Sequence, residues 1–124
     1  MPLGISSRIA DGNVTVISLA GDLNASSMVD NVEERVGQLL AAGCDRVVFD
    51  LSDLLSMDSA GVGLMVFSFA TVRDVGGVMC LAAPSQRVQK VLHFTRLDSF
   101  LSVCDSVEDA IRQAGTEPPV QRIH

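Results

Sequence analysis

A chain of 124 residues is long enough for one domain with one core, and a hydrophobic content of 48% can fill it, with Phe as the only aromatic residue. The formal charge of −6 repels nucleic acid and anionic membrane surfaces, which leaves basic protein surfaces as partners. No run approaches the roughly eighteen apolar residues of a membrane span, and no basic, apolar and cleavable leader opens the chain, so a cytoplasmic protein is expected, a monomer or weak dimer.

Ile5 to Ile9 alternates weakly between apolar and polar residues, Asp11-Gly12-Asn13 supplies turn chemistry, and Val14 to Leu19 follows as a second strand. The pair reads as a hairpin that opens the sheet. Gly21-Asp22-Leu23-Asn24 ends the second strand and leads to a helix, where Ser27 and Asp30 have the spacing of a capping box. Val29, Val32, Val36, Leu39 and Leu40 recur at helical spacing, Asp30, Glu33, Glu34 and Arg35 fall mainly on the solvated side, and Gly43 provides the stop. Arg46 to Leu51 contains the consecutive apolar residues Val47-Val48-Phe49, as expected of a strand in the middle of a sheet or covered on both faces.

The stretch Met57-Asp58-Ser59-Ala60-Gly61-Val62-Gly63 then joins this strand to a helix from about Ala60 to Val75. Such a loop delivers its residues to the carboxyl edge of the sheet and to a first helical turn whose N–H groups lack intrahelical partners. Asp58 or Ser59 can cap the helix, which keeps the Ser59 hydroxyl at the surface and suits it to receive a phosphate. Gly61 and Gly63 each weaken a helix by about 1 kcal/mol relative to Ala, so their place here points to close approach by another backbone or protein. The same residues also read as an ordinary tight turn with a capping serine. Helical spacing puts Val62, Met65, Val66, Phe69 and Val72 on the core stripe and Leu64, Phe67 and Thr71 nearly opposite. Leu64 and Phe67 are therefore expected to form an apolar patch beside Ser59.

Gly76-Gly77 breaks the helix, Val78 to Ala83 reads as another buried strand, and Pro84 ends it. Ser85 caps a shorter helix with Val88, Val91 and Leu92 inward, and His93 near its end has no partner at metal-ligand spacing. Phe100 to Val103 is expected to be a short edge strand, and Ser106 opens a last helix that carries Ala110, Ile111 and Ala114 and stops at Gly115. The domain is expected to occupy residues 1–115, with 116–124, including Pro118-Pro119, as a mobile tail. Cys44, Cys80 and Cys104 are widely spaced and read as reduced, so no disulfide, metal or cofactor is expected. Two early strands followed by strand-helix units give an α/β domain with a mixed sheet, whose strand order the residues do not reveal.

Val47-Val48-Phe49-Asp50-Leu51-Ser52 followed by Met57-Asp58-Ser59-Ala60-Gly61-Val62-Gly63-Leu64, with Gly21-Asp22-Leu23 as a second loop, resembles the signature of the STAS domain and in particular of bacterial anti-sigma factor antagonists. The likeness runs from about residue 5 to about residue 113. It implies a single domain with a mixed sheet of four or five strands and about four helices. It also implies a partner-switching cycle, in which the unphosphorylated protein binds an anti-sigma factor that is a serine kinase and so frees a sigma factor. The kinase then phosphorylates Ser59, the complex separates, and a PP2C-type phosphatase resets it. By the same resemblance Asp22 lies near Ser59 and shapes the docking surface, and Asp58 orients the acceptor loop. Asn24, Ala60, Gly61, Gly63 and Leu64 complete the expected partner-binding set.

One departure is Ala60, where many antagonists carry a second hydroxyl residue. Asp-Ser-Ala-Gly also occurs in STAS domains that are not phosphorylated switches, so the alternative is a stable interaction module, such as an accessory subunit of a lipid transporter or a signalling scaffold. An enzyme is not expected. Ser59 lacks a G-x-S-x-G elbow, only His93 and His124 could supply an imidazole base, and no P-loop is present.

Overall fold

The structure, a computed structural model, describes residues 2–25 and 29–116. Strand β1 (Gly4–Ala10) and strand β2 (Val14–Leu23) flank a one-turn helix at Asp11–Asn13; then follow α1 (Val29–Ala41), β3 (Arg46–Met57), α2 (Ser59–Asp74), β4 (Val78–Ala82), α3 (Gln86–Phe94), β5 (Ser102–Cys104) and α4 (Val107–Thr116). The capping pair of Ser27 with Asp30 and the expected tail from residue 117 onward lie outside the described residues.

The five strands stand in sequence order, β1-β2-β3-β4-β5, with β1 antiparallel to β2 and all later pairs parallel. A parallel crossover is right-handed, and each one here steps to the next strand in the same direction, so α1, α2 and α3 share one face. On that face Val32, Val36, Leu64, Met65, Val72, Val88 and Leu92 pack against Ile17, Leu19, Phe49 and Leu81. Among the described residues helix α4 alone covers the other face, with Ala110 and Ala114 on Val14, Val16, Val48 and Cys80. Helices on both sides explain why β3 and β4 read as unbroken apolar runs rather than alternating ones.

Three expectations need correction. Strand β3 continues past Leu51 to Met57, because its pairing with β2 persists through two register shifts, at Ser18/Ala20 and Gly21/Asp22. Gly21 sits at the second shift with φ +95°, a backbone state that side chains disfavour, and the bulge there brings Asp22 opposite Ser56 and Leu23 opposite Met57. Helix α4 does not stop at Gly115 but runs through Thr116. Gly115 serves instead as a contact: a side chain on Gly12, itself at φ +77°, would meet Gly115 Cα at 3.2 Å. Helix α2 is rotated by about a quarter turn from the expected orientation, so that Gly61, Leu64, Met65, Ser68 and Val72 face the core. Leu64 is fully buried and forms no surface patch, while Val66, expected inside, is exposed.

Among the described residues no helix is long and apolar enough to cross a membrane, and no group of three or more His, Cys, Asp or Glu side chains is arranged to hold a metal ion.

Candidate functional site

The site forms where β2 and β3 end side by side and the chain turns into α2. The Asp58 N–H donates to the Leu23 carbonyl at 3.1 Å, which ties the start of α2 to the end of β2. Asp58 has extended backbone angles, and its Oδ1 accepts from the Ala60 N–H at 2.9 Å and the Gly61 N–H at 3.4 Å. Asp58 is thus the cap that the sequence assigned to either Asp58 or Ser59, as expected of a short acidic side chain before a helix. Ser59 is left as the first helical residue, exposed, with its hydroxyl free of the capping role.

Beside it, the Ser56 hydroxyl donates to Asp22 Oδ1 at 2.6 Å, a short charge-assisted bond that orients the carboxylate. Sequence reasoning placed Asp22 at this loop and missed Ser56. Only the strand register could reveal that partner, since Ser56 lies in a segment without clear alternation. Asn24, half-buried, follows directly at the end of β2.

Of the remaining expected site residues, Ala60 is half-buried, Gly63 is exposed, and Gly61 and Leu64 are buried. The exposed face of α2 runs through Ser59, Gly63, Val66, Phe67 and Ala70, which successive steps of about 100° place on one stripe. Val66 and Phe67 are 44% and 43% exposed. The apolar patch beside Ser59 therefore exists, with Val66 in the place expected for Leu64.

The two glycines differ in what they do. A Cβ on Gly61 would stand 2.5 Å from Met57 Cγ and 3.0 Å from Leu23 Cγ, both in buried side chains, whereas a Cβ on Gly63 would meet nothing within 4 Å. Gly61 lets α2 lie against the strand ends. Gly63 leaves bare backbone at the surface. Gly61→Val is expected to destabilise the fold by about 1–3 kcal/mol through overpacking. Gly63→Ala is expected to stabilise it by about 0.5–1 kcal/mol through helix preference. Chemical denaturation of the two variants checks both signs, and weaker partner binding by the stabilised Gly63→Ala would assign that glycine to the contact surface.

No imidazole accompanies Ser59 among the described residues. His93 lies near the far end of α3, at the opposite edge of the sheet, where Nδ1 is 3.1 Å from Asp98 Oδ2. The arrangement can present a hydroxyl to another protein's active site.

The model of the STAS domain family matches residues 7–110. A candidate anti-sigma factor antagonist from Thermotoga neapolitana is 33% identical over 76 residues, 61% of this chain and 67% of its own. The crystal structure of a candidate anti-sigma factor antagonist from Thermotoga maritima aligns with a TM-score of 0.81 at 25% identity, covering 89% of this chain and 93% of that one. The anti-sigma factor antagonist SpoIIAA has the same fold in its unphosphorylated form, with a TM-score of 0.70 at 22% identity over 89% of this chain and 96% of that one. Its phosphorylated form, from Bacillus, gives 0.69 at 24% identity over 89% and 98%. With the family's span covering nearly every element from β1 to α4, and its two signature loops joined by the Asp58–Leu23 and Ser56–Asp22 hydrogen bonds, the chain belongs to the STAS domain family.

Proposed function

We propose that this chain is an anti-sigma factor antagonist that works by partner switching in the cytoplasm. Unphosphorylated, it docks on an anti-sigma factor that is also a serine kinase and so frees a sigma factor. In the complex the Ser59 Oγ attacks the γ-phosphorus of ATP, the bond to the bridging oxygen breaks, ADP leaves and the hydroxyl proton passes to a base of the kinase. A PP2C-type phosphatase hydrolyses the phosphoserine and restores the docking form. The chain acts as a regulatory binding protein and supplies a substrate side chain rather than catalysis.

The observation that carries this reading is the exposed Ser59 at the first position of α2, released from capping by Asp58 and continuous with the Gly63, Val66 and Phe67 stripe. A phosphorylatable residue must reach into a kinase cleft, and a docking face must join it without a break. The names carried by the relatives support the same reading. Asp22 and Asp58, with the neutral amide of Asn24, line the rim of the docking surface.

A pull-down with the full chain from the native cell, with and without ATP, followed by intact-mass and peptide analysis, tests it. The expected result is co-purification of a serine kinase without ATP, and its loss together with one phosphate on Ser59 when ATP is present. A stable non-kinase partner and an unmodified Ser59 would overturn the proposal in favour of a constitutive interaction module.

A further inference from the structure

Strand β1 ends the sheet on one side, and β5 ends it on the other with only the three residues Ser102–Cys104. An edge strand presents backbone N–H and C=O groups to any chain that can pair with them, and proteins blunt such edges with prolines, bulges, clustered charges or short length. β1 uses little of this. Its seven residues, Gly4-Ile5-Ser6-Ser7-Arg8-Ile9-Ala10, contain no proline and one charge, and they pair with β2 in unbroken register. Ile9 is 72% exposed, while Ile5 on the same face packs at the margin of the core.

We propose that β1 is a self-association edge, on which a second copy of this chain pairs β1 antiparallel to β1 about a two-fold axis through Ser7. Residues directly opposite each other in a sheet share a face, so a two-fold pair must place one residue opposite itself. Centring on Ser6 or Arg8 leaves only five residues of each strand overlapped, and the Arg8 centre also opposes two guanidinium groups. Centring on Ser7 pairs all seven.

That register places Ile9 opposite Ile5 of the second copy, twice over, which covers the exposed side chain on the face that carries α1, α2 and α3. Arg8 falls opposite Ser6 of the second copy, so the like charges stand only diagonally apart. The Arg35 guanidinium donates to Ser7 Oγ at 3.0 Å, so this register brings two guanidinium groups toward the axis, and their repulsion, screened by salt, weakens the dimer without breaking the strand pairing. The union joins two five-stranded sheets into one. It buries a small interface against a charge of −6 on each copy, so the dimer is weak and strengthens with salt.

Sedimentation of the full chain from about 10 µM to about 1 mM, the range suited to small interfaces, tests the proposal. The expected result is a concentration-dependent rise from monomer to dimer mass, with slowed amide exchange confined to residues 4–10 at high concentration. Ile9→Lys is expected to weaken the dimer about tenfold. It should leave thermal unfolding unchanged, because the side chain is already in solvent. A monomer over the whole range, a dimer indifferent to Ile9→Lys, or exchange protection that falls on other elements would overturn the proposal.

Discussion

Phosphorylation of Ser59 is expected to weaken binding to the kinase partner by about 100- to 1000-fold while leaving the unfolding profile of the chain unchanged. The added group carries about −1.5 to −2 charge at neutral pH. Within the free protein that charge sits at the start of α2, where the helix dipole favours it by about 0.3–1 kcal/mol. No packing is disturbed, since Ser59 is exposed and the cap is made by Asp58. Across an interface the same charge must be desolvated close to the Asp58 carboxylate, and like charges brought together there cost several kcal/mol. Ser59→Glu, with a single charge, is expected to lower affinity by about tenfold or more, and Ser59→Ala to retain binding and resist switching. Calorimetric titration against the purified kinase, alongside thermal denaturation, separates the two effects. A Ser59→Glu variant that lost its fold would contradict the placement of the hydroxyl at a tolerant helix terminus.

Element types were legible in the sequence wherever apolar periodicity and turn chemistry agreed. The opening hairpin, the Ser85 cap, whose Oγ accepts from the Val88 N–H at 3.2 Å, and the helix carrying Ala110 and Ala114 all follow from local signals. The site loop was legible for the same reason, because Asp-Ser-x-Gly at a strand-helix junction is a local pattern. What local signals could not carry was register. Residues 52–56 alternate poorly, and only their pairing with a bulged β2 makes them strand and brings Ser56 to Asp22. The two glycines were equally opaque, since a requirement for closeness inside the fold and a bare surface look alike until neighbours are known. The orientation of α2 was lost for a different reason. Its sequence is apolar nearly all round, so several stripes fit, and the true one passes through the polar Ser68 and the side-chain-free Gly61. Gly61 lets the helix lie close against the strand ends, which hydrophobicity does not encode.

Leu64→Ala is expected to remove about 2–5 kcal/mol of stability, a large share of the roughly 5–15 kcal/mol that holds a domain of this size. Its side chain is fully buried among the strand ends and the crossover helices, and the surrounding residues are tied to β2 and β3, so collapse around the deleted atoms is limited. Phe67→Ala is expected to do the reverse. The ring is 43% exposed on the outer stripe of α2, so its loss leaves no enclosed cavity and costs about 1 kcal/mol or less. A partner that docks around Ser59 would cover that ring, and an exposed aromatic at the centre of a contact commonly contributes a tenfold or greater share of affinity. Urea denaturation and partner titration on the same two variants distinguish the roles. Leu64→Ala should shift the denaturation midpoint and leave the affinity of the folded fraction nearly unchanged. Phe67→Ala should do the opposite. If Phe67→Ala bound its partner as tightly as the parent chain, the docking face would have to lie off the α2 stripe, toward Asp22 and Asn24 at the end of β2.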